Sequence, residues 1–485
     1  MSIERKFGQG VAWMAAGNWV EQAINFAVFV LLARILGAET FGLLAMAAAF
    51  VLLSEFLVRE SFSDFLISYA NPDDGHYNTT FWVLAGLGSL LSILLILGAG
   101  PISAFYGQSQ VQGLIVALSP TVLMIALTAV PVAILRRELR FRTLSLRAIA
   151  GVIVGGVVAI SMALNGFGVW SLAGQRLAQV LTNIVMAWAA VTWRPSLSFS
   201  AKHFREVTRF GGAVLGLRAA ELASTQIPSV IIGVTLGPVT LGFFSIAWRL
   251  VEIGSFLIVT PLRMASQPAF AALHRSGDTA SKLLVDISRL SGLVAFPAFA
   301  GLAVLAVPVL GLLFGPEWSA AAPILSILSV LGAYLCIEKI HQAYCLAMGR
   351  AGATTIVAWI EVGVGAALVW LLVPWGVNVM TAGLVGSFLL FWGIRFYIVA
   401  GVTGISVLTL VKIHILPLTG AMMMAAVIWF LLGKISPLSA IASILIGIGV
   451  GVPLIVGFTA LFMAERFSLL KSFVAKADKS DDKTP

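Results

Sequence analysis

Apolar stretches of membrane-spanning length follow one another along almost the whole chain, near 10–34, 41–60, 80–100, 111–135, 145–164, 169–191, 211–236, 241–265, 288–313, 323–347, 354–373, 380–400, 412–432 and 438–463. A hydrocarbon core about 30 Å thick takes about 20 helical residues to cross. Inside it a backbone must satisfy its own polar groups, which an α-helix does within one segment. The chain is therefore expected to be an all-α integral membrane protein of about 14 transmembrane helices. Composition leaves little room for a soluble domain. Of 485 residues, 60% are hydrophobic and 11% charged, with a mean hydropathy of +1.02, against about 25% charged in a soluble domain. Arg5 and Lys6 precede a first apolar run too long for a signal-peptide core and without a small-residue cleavage pattern, so that helix is expected to stay in the membrane.

The net charge of +9 is distributed by side. Alternate short loops hold Arg5 and Lys6; Arg136, Arg137, Arg140 and Arg142; Arg194, Lys202, Arg205 and Arg209; Arg275 and Lys282; Arg350; and Lys471, Lys476 and Lys479. The intervening turns at 101–110, 165–168, 237–240 and 374–379 carry no Lys or Arg, and 433–437 carries only Lys434. The positive-inside rule makes the first set cytoplasmic, together with both termini, in agreement with an even helix count. Basic loops of this kind contact anionic headgroups, so membrane lipids are the expected partner and nucleic acid is not. Cys336 and Cys345 lie nine residues apart on one expected helix. That spacing separates them by about 13 Å at about 1.5 Å per residue, too far for a disulfide.

An internal repeat organises the chain. Leu36, Gly37, Thr40 and Gly42 match Leu236, Gly237, Thr240 and Gly242 at a constant offset of 200 residues, which also pairs Glu21 with Glu221 and Ala47 with Ala247. Phe105-Tyr-Gly-Gln and Phe314-Gly-Pro-Glu, each before a long apolar helix, continue the likeness at a drifted offset. The expected organisation is an N-terminal lobe of six helices at 1–192, a cytoplasmic linker at 193–210 and a second six-helix lobe at 211–402. Two further helices at 403–465 and a cytoplasmic tail at 466–485 complete it. A repeat with an even number of helices is parallel, related by a pseudo-two-fold axis along the membrane normal, as in the halves of several transporter families. Such lobes place a substrate path between them and can rock about it, which points to transport.

Ionisable side chains near a bilayer centre cost about 2.5–3.5 kcal/mol on insertion scales and face a partner or a wet cavity. Asn18, Glu21, Gln22 and Asn25 share one helix face by spacing, as do Arg218, Glu221 and Thr225, and Ser245, Arg249 and Glu252. Gln175, Arg176, Gln179 and Asn183 form another set, and Glu338, His341 and Gln342 a fifth. Arg218–Glu221 and Arg249–Glu252 read either as local ion pairs that neutralise each other or as members of a polar cavity. Taken together, the sets favour a cavity, with Arg218, Arg249, Arg176, Glu21, Asn25, Glu221 and Glu252 as its candidate residues. His341 reads as a satisfied bundle residue, and the run Met422-Met-Met as packing.

No enzymatic motif emerges: there is no GxxxxGK[ST] phosphate loop, no HExxH zinc pair and no GxGxxG fingerprint. No catalytic residue, metal ligand or cofactor is therefore expected. Asn78-Thr-Thr fits a glycosylation pattern but falls on the expected cytoplasmic side.

Three segments in order carry a family resemblance: Leu31-Leu-Ala-Arg-Ile-Leu-Gly-Ala-Glu-Thr-Phe-Gly, Thr235-Leu-Gly-Pro-Val-Thr-Leu-Gly-Phe-Phe-Ser-Ile-Ala-Trp-Arg-Leu, and Phe314-Gly-Pro-Glu-Trp with Ala322-Pro-Ile-Leu. With these the chain, over roughly 5–465, resembles the bacterial polysaccharide-biosynthesis flippases, most of all the branch exporting colanic-acid or succinoglycan type repeat units. The resemblance implies two six-helix lobes, alternating access without ATP hydrolysis, and residence in the bacterial inner membrane. It implies as substrate an undecaprenyl-diphosphate-linked oligosaccharide, turned from the cytoplasmic to the periplasmic leaflet for exopolysaccharide or lipopolysaccharide synthesis, with polysaccharide polymerase machinery as a partner. A diphosphate needs cationic stations along its path, and Arg218 and Arg249, with Arg176 as a third, are the residues expected to supply them. Arg34 lies within the first motif near the outer end of helix 1, where interfacial anchoring competes with substrate contact. The stretch Arg59-Glu-Ser-Phe-Ser-Asp64 departs from the family's small, uncharged pattern after helix 2. Two other readings stay open: a cation-coupled multidrug extruder using Glu21, Glu221 and Glu361, and a non-transporting membrane scaffold for a polysaccharide synthase complex.

Overall fold

The computed structural model describes residues 3–61, 66, 69, 72–276, 280–435 and 439–462. The tail basic residues Lys471, Lys476 and Lys479, and part of the Arg59–Asp64 stretch, lie outside the described residues. Among the described residues there is no strand. The α-helices in chain order are α1 (Ile3–Ser61), α2 (Asp74–Tyr106), α3 (Ser109–Leu118), α4 (Pro120–Arg137), α5 (Phe141–Leu164), α6 (Trp170–Ala190) and α7 (Ala201–Ser276). They continue as α8 (Ser281–Val304), α9 (Ala306–Leu313), α10 (Ala322–Ala347), α11 (Ala351–Leu372), α12 (Val377–Thr403), α13 (Val407–Ile435) and α14 (Ala440–Phe462). Among the described residues, eleven stretches are long and apolar enough to cross a membrane.

Two of the eleven are double. Ala16–Arg59 and Gly216–Arg263 are 44 and 48 residues long. Each is broken at the glycine the repeat predicts, Gly37 at φ 72°, ψ 174° and Gly237 at φ 82°, ψ 178°. This backbone geometry is one that only glycine adopts at little cost. Counting both halves of each and adding α6, whose 21 residues are of comparable length, gives the fourteen segments read from the sequence.

The boundaries differ in instructive places. The stretch expected at 111–135 is split at Ser119, because Pro120 has no N–H to continue the ladder of α3 and instead opens α4 as its first residue. The stretch expected at 288–313 starts two turns earlier, at Ser281, and ends at Val304. Pro308 lacks the N–H that would bond back to Val304, so α9 is a separate short helix. The linker expected over 193–210 is irregular only as far as Ser200, since residues from Ala201 onward are already helical.

The chain divides into two compact units, Met1–Ser245 and Ile246–Pro485, with the border inside α7. In the first, α5 packs on α6 and on α1, and α2 packs on α3 and α4. Phe81, Val130, Ala133 and Leu135 gather with Val191 at one end. In the second, α8 is flanked by α10 and α13, and α11 packs on α12. Phe270, Leu284, Ile340, Tyr344, Phe396 and Leu410 form its core. Large apolar side chains remain outward: Leu90, Ile93, Leu94 and Leu97 on α2, and Leu445, Ile448 and Val452 on α14. A lipid solvent accepts such faces where water would not. Cys336 and Cys345 are both buried and free, as their spacing requires.

Candidate functional site

The polar side chains of the spans resolve into ion pairs of two kinds. Arg218 Nη1 lies 3.4 Å from Glu221 Oε2, and Arg249 Nη1 lies 2.6 Å from Glu252 Oε2. The i, i+3 spacing dictates both, because residues one helical turn apart stand side by side. Neither pair is shut away: the Arg218 and Arg249 side chains are 47% and 39% exposed. Each therefore presents a guanidinium with donors to spare beyond its own carboxylate.

Arg176 behaves differently. Its guanidinium, from α6, pairs with the carboxylate of Glu55 on the second half of α1. Glu55 is 3% exposed, and its other oxygen accepts from Thr121 Oγ1 on α4 at 2.8 Å. Arg59, one turn further along α1, approaches the same carboxylate at 4.0 Å. Three elements thus converge on a buried anion that the sequence reading did not single out. Glu21 and Asn25 are half-buried on α1, and Arg147 on α5 acts electrostatically on Glu21.

The second unit holds a corresponding centre. Arg395 on α12 pairs with Glu338 on α10 and with Glu361 on α11. All three are buried at their charged ends, and Glu338 Oε2 and Glu361 Oε1 have no further hydrogen-bond partner. Glu338, Gln342, Thr354 and Arg395 line a small cavity with His341. His341 Nε2 is bonded to Ser288 Oγ at 2.8 Å, and its ring meets Phe396 edge-on. The spacing of Glu338, His341 and Gln342 identified this helix face. Arg395 was missed because it lies 57 residues beyond Glu338, on a helix whose only charge it is.

The chemistry that these centres show is charge compensation. A guanidinium is a planar fork of donors that can donate to a carboxylate on one edge and to a phosphate oxygen on another. Ser288 and His341 make one hydroxyl–imidazole contact inside the second unit. Helices of membrane length carrying paired charges define a polytopic all-α membrane protein, and solved structures share its fold. The fold is similar to that titled lipid II flippase MurJ, inward closed conformation, at a TM-score of 0.75 and 13% identity, covering 93% of this chain and 99% of that one. It is also similar to an inward-facing multidrug resistance MATE family transporter at 0.54 and 16% identity, covering 84% and 97%. Residues 31–323 match the family described as polysaccharide biosynthesis protein, and the chain belongs to that family.

Among curated proteins it is 25% identical to the succinoglycan biosynthesis transport protein ExoT of Rhizobium meliloti, over 66% of this chain and 65% of that protein. The match thus spans just under two thirds of that relative's length. It is 24% identical to the teichuronic acid biosynthesis protein TuaB of Bacillus subtilis, covering 72% and 73%. With the lipopolysaccharide biosynthesis protein WzxC of Escherichia coli the identity is 23%, covering 68% of each.

Proposed function

We propose that the protein is a flippase that moves undecaprenyl-diphosphate-linked oligosaccharide repeat units from the cytoplasmic to the periplasmic leaflet of a bacterial inner membrane, by alternating access of two six-helix lobes. The observation that carries this reading is the family match over residues 31–323, on a chain whose described residues are almost wholly helices of membrane length. The relatives include a succinoglycan biosynthesis transport protein, which supports a substrate from a polysaccharide pathway. Physical chemistry supports the assignment of roles. The lipid tail stays in hydrocarbon, while the diphosphate must exchange water for cations along its way. Arg218 and Arg249 each hold a carboxylate on one edge and keep the rest of the fork available. A phosphate oxygen can then be received without stripping the arginine of its counter-ion, which favours passage over trapping. Arg176, engaged with the buried Glu55, is the weaker station of the three.

Proteoliposomes holding a fluorescent undecaprenyl-diphosphate oligosaccharide on one leaflet test the proposal. With the protein present, the sugar should become accessible to a membrane-impermeant reagent at a rate well above that of empty vesicles. Translocation at the empty-vesicle rate, in protein that is inserted and monodisperse, overturns the reading. So does ion-driven extrusion of cationic drugs in its place.

A further inference from the structure

Outside the apolar spans, the start of α2 and the start of α7 bring four metal-competent side chains together. Asp73 caps α2 and His76 stands on its first turn, while His203 and Glu206 stand one turn apart at the start of α7. Both pairs have i, i+3 spacing, so each presents its two side chains on one face. His76 Nδ1 lies 2.7 Å from Asp73 Oδ1, and His76 Nε2 lies 3.2 Å from Glu206 Oε2. His203 Nε2 lies 4.0 Å from Asp73 Oδ2. The two imidazoles are stacked, with centroids 3.9 Å apart and planes at 26°. One ligand atom from each of Asp73, His76 and His203 falls within 4.8 Å of the others.

Two further observations single this cluster out. His203 Nδ1 is buried and makes no hydrogen bond, a state uncommon for a buried polar atom. Gly75 makes room for the second ring, since a Cβ there would come within 2.7 Å of His203 Cε1. The Asp73 carboxylate accepts from the His76 backbone N–H at 2.9 Å, which fixes its orientation beside the His76 ring.

We propose that Asp73, His76 and His203 bind a divalent transition-metal cation of the zinc class, with Glu206 accepting from the other ring nitrogen of His76. Two imidazoles with a carboxylate suit such a borderline cation, whereas calcium and magnesium take oxygen ligands alone. The cation would sit between the Asp73 carboxylate and the His76 ring nitrogen that now faces it. Ligands about 2.0–2.2 Å from zinc require the present spread to contract, by side-chain rotation, and this draws the first turn of α7 onto the first turn of α2. The site would therefore tether the cytoplasmic end of α7. It stands independently of the transport assignment.

Protein purified without a polyhistidine tag, stripped with a chelator and titrated in detergent, gives the test. Calorimetry should show one saturable zinc per chain, cobalt should give a visible d–d absorption that zinc displaces, and zinc should raise Tm. His203→Gln and Asp73→Asn should each weaken zinc binding by about tenfold or more. Asn is as good a helix cap as Asp, so the second variant removes a ligand while sparing the helix start. His341→Gln, in the second unit, should leave binding unchanged. Absence of saturable binding in the wild type, unchanged affinity in folded His203→Gln, or loss of binding in His341→Gln overturns the site.

Discussion

Gly42 and Gly242 hold reciprocal positions within the first unit. A Cβ on Gly42 would meet the carbonyl oxygen of Pro238 at 1.7 Å, and a Cβ on Gly242 would meet that of Ala38 at 1.9 Å. Each lies five residues beyond a helix break, at Gly37 and Gly237. The two repeated turns therefore press backbone against backbone, each glycine receiving the other turn. The sequence repeat is the imprint of this mutual contact.

Gly42→Ala and Gly242→Ala should each destabilise the protein by about 1–3 kcal/mol or more, because the obstructing atoms are backbone and must shift. A lowered Tm, or loss of the monodisperse peak, reads this out. Gly86→Ala is the control: nothing lies within 4 Å of its added Cβ, so it should be neutral or stabilising by up to about 1 kcal/mol. Wild-type stability in Gly42→Ala would contradict the contact.

Arg218→Ala should abolish translocation of the lipid-linked oligosaccharide while the protein stays inserted. Arg218→Lys should recover part of it, since charge survives without the fork. If the pair with Glu221 only neutralises charge, the double change Arg218→Ala with Glu221→Ala should restore transport. Full transport in that double variant removes Arg218 from the substrate path; the proposed role requires it to remain inactive. The same cycle at Arg249 and Glu252 gives an independent reading.

The buried centres should respond first in stability. Arg176→Ala leaves Glu55 buried without its cation, a loss of about 3–5 kcal/mol where a buried pair is broken from one side. Arg176→Ala with Glu55→Gln should recover much of that in Tm. Arg395→Lys should destabilise as well, because a single ammonium cannot fork to both Glu338 and Glu361. A neutral outcome for Arg395→Lys would show that one of the two contacts is dispensable.

Tags or reactive cysteines introduced in 136–147 and 194–209 should report the cytoplasm, and those in 101–110 and 237–240 the periplasm. The asymmetry of Lys and Arg between alternate loops motivates this. Reversal at either pair would invert the topology and, with it, the direction of the proposed movement.

Legibility in the sequence followed the range of the interaction. Apolar runs mark helices because hydrocarbon imposes a length, and the breaks at Gly37 and Gly237 were legible because the repeat wrote the same motif twice. Arg218–Glu221 and Arg249–Glu252 were legible because helical geometry places i and i+3 together. Arg176–Glu55, 121 residues apart, and Arg395–Glu338, 57 apart, were not, since nothing local names a partner on another helix. His76 and Glu206, 130 apart, match no short motif, because each helix contributes only part of the cluster. Asn78 could be understood only in place: its side-chain amide donates to Ser196 Oγ at 2.7 Å and its oxygen accepts from Ser196 N at 3.0 Å, so it holds the irregular segment before α7.

The carboxylates beside Arg218 and Arg249 have an electrical consequence. Carrying one elementary charge through a potential of 100 mV takes about 2.3 kcal/mol, but a pair of formal charge zero that moves as one body does no net work against the field. Both i, i+3 pairs ride on single helical turns and so travel intact. Arg395 faces two carboxylates, and with both ionised that triad has a formal charge of −1, beside Lys339, which acts on Glu338. Voltage acting on the second unit would therefore pass over Arg249 and Glu252 and act on the charges that are not paired within one helical turn.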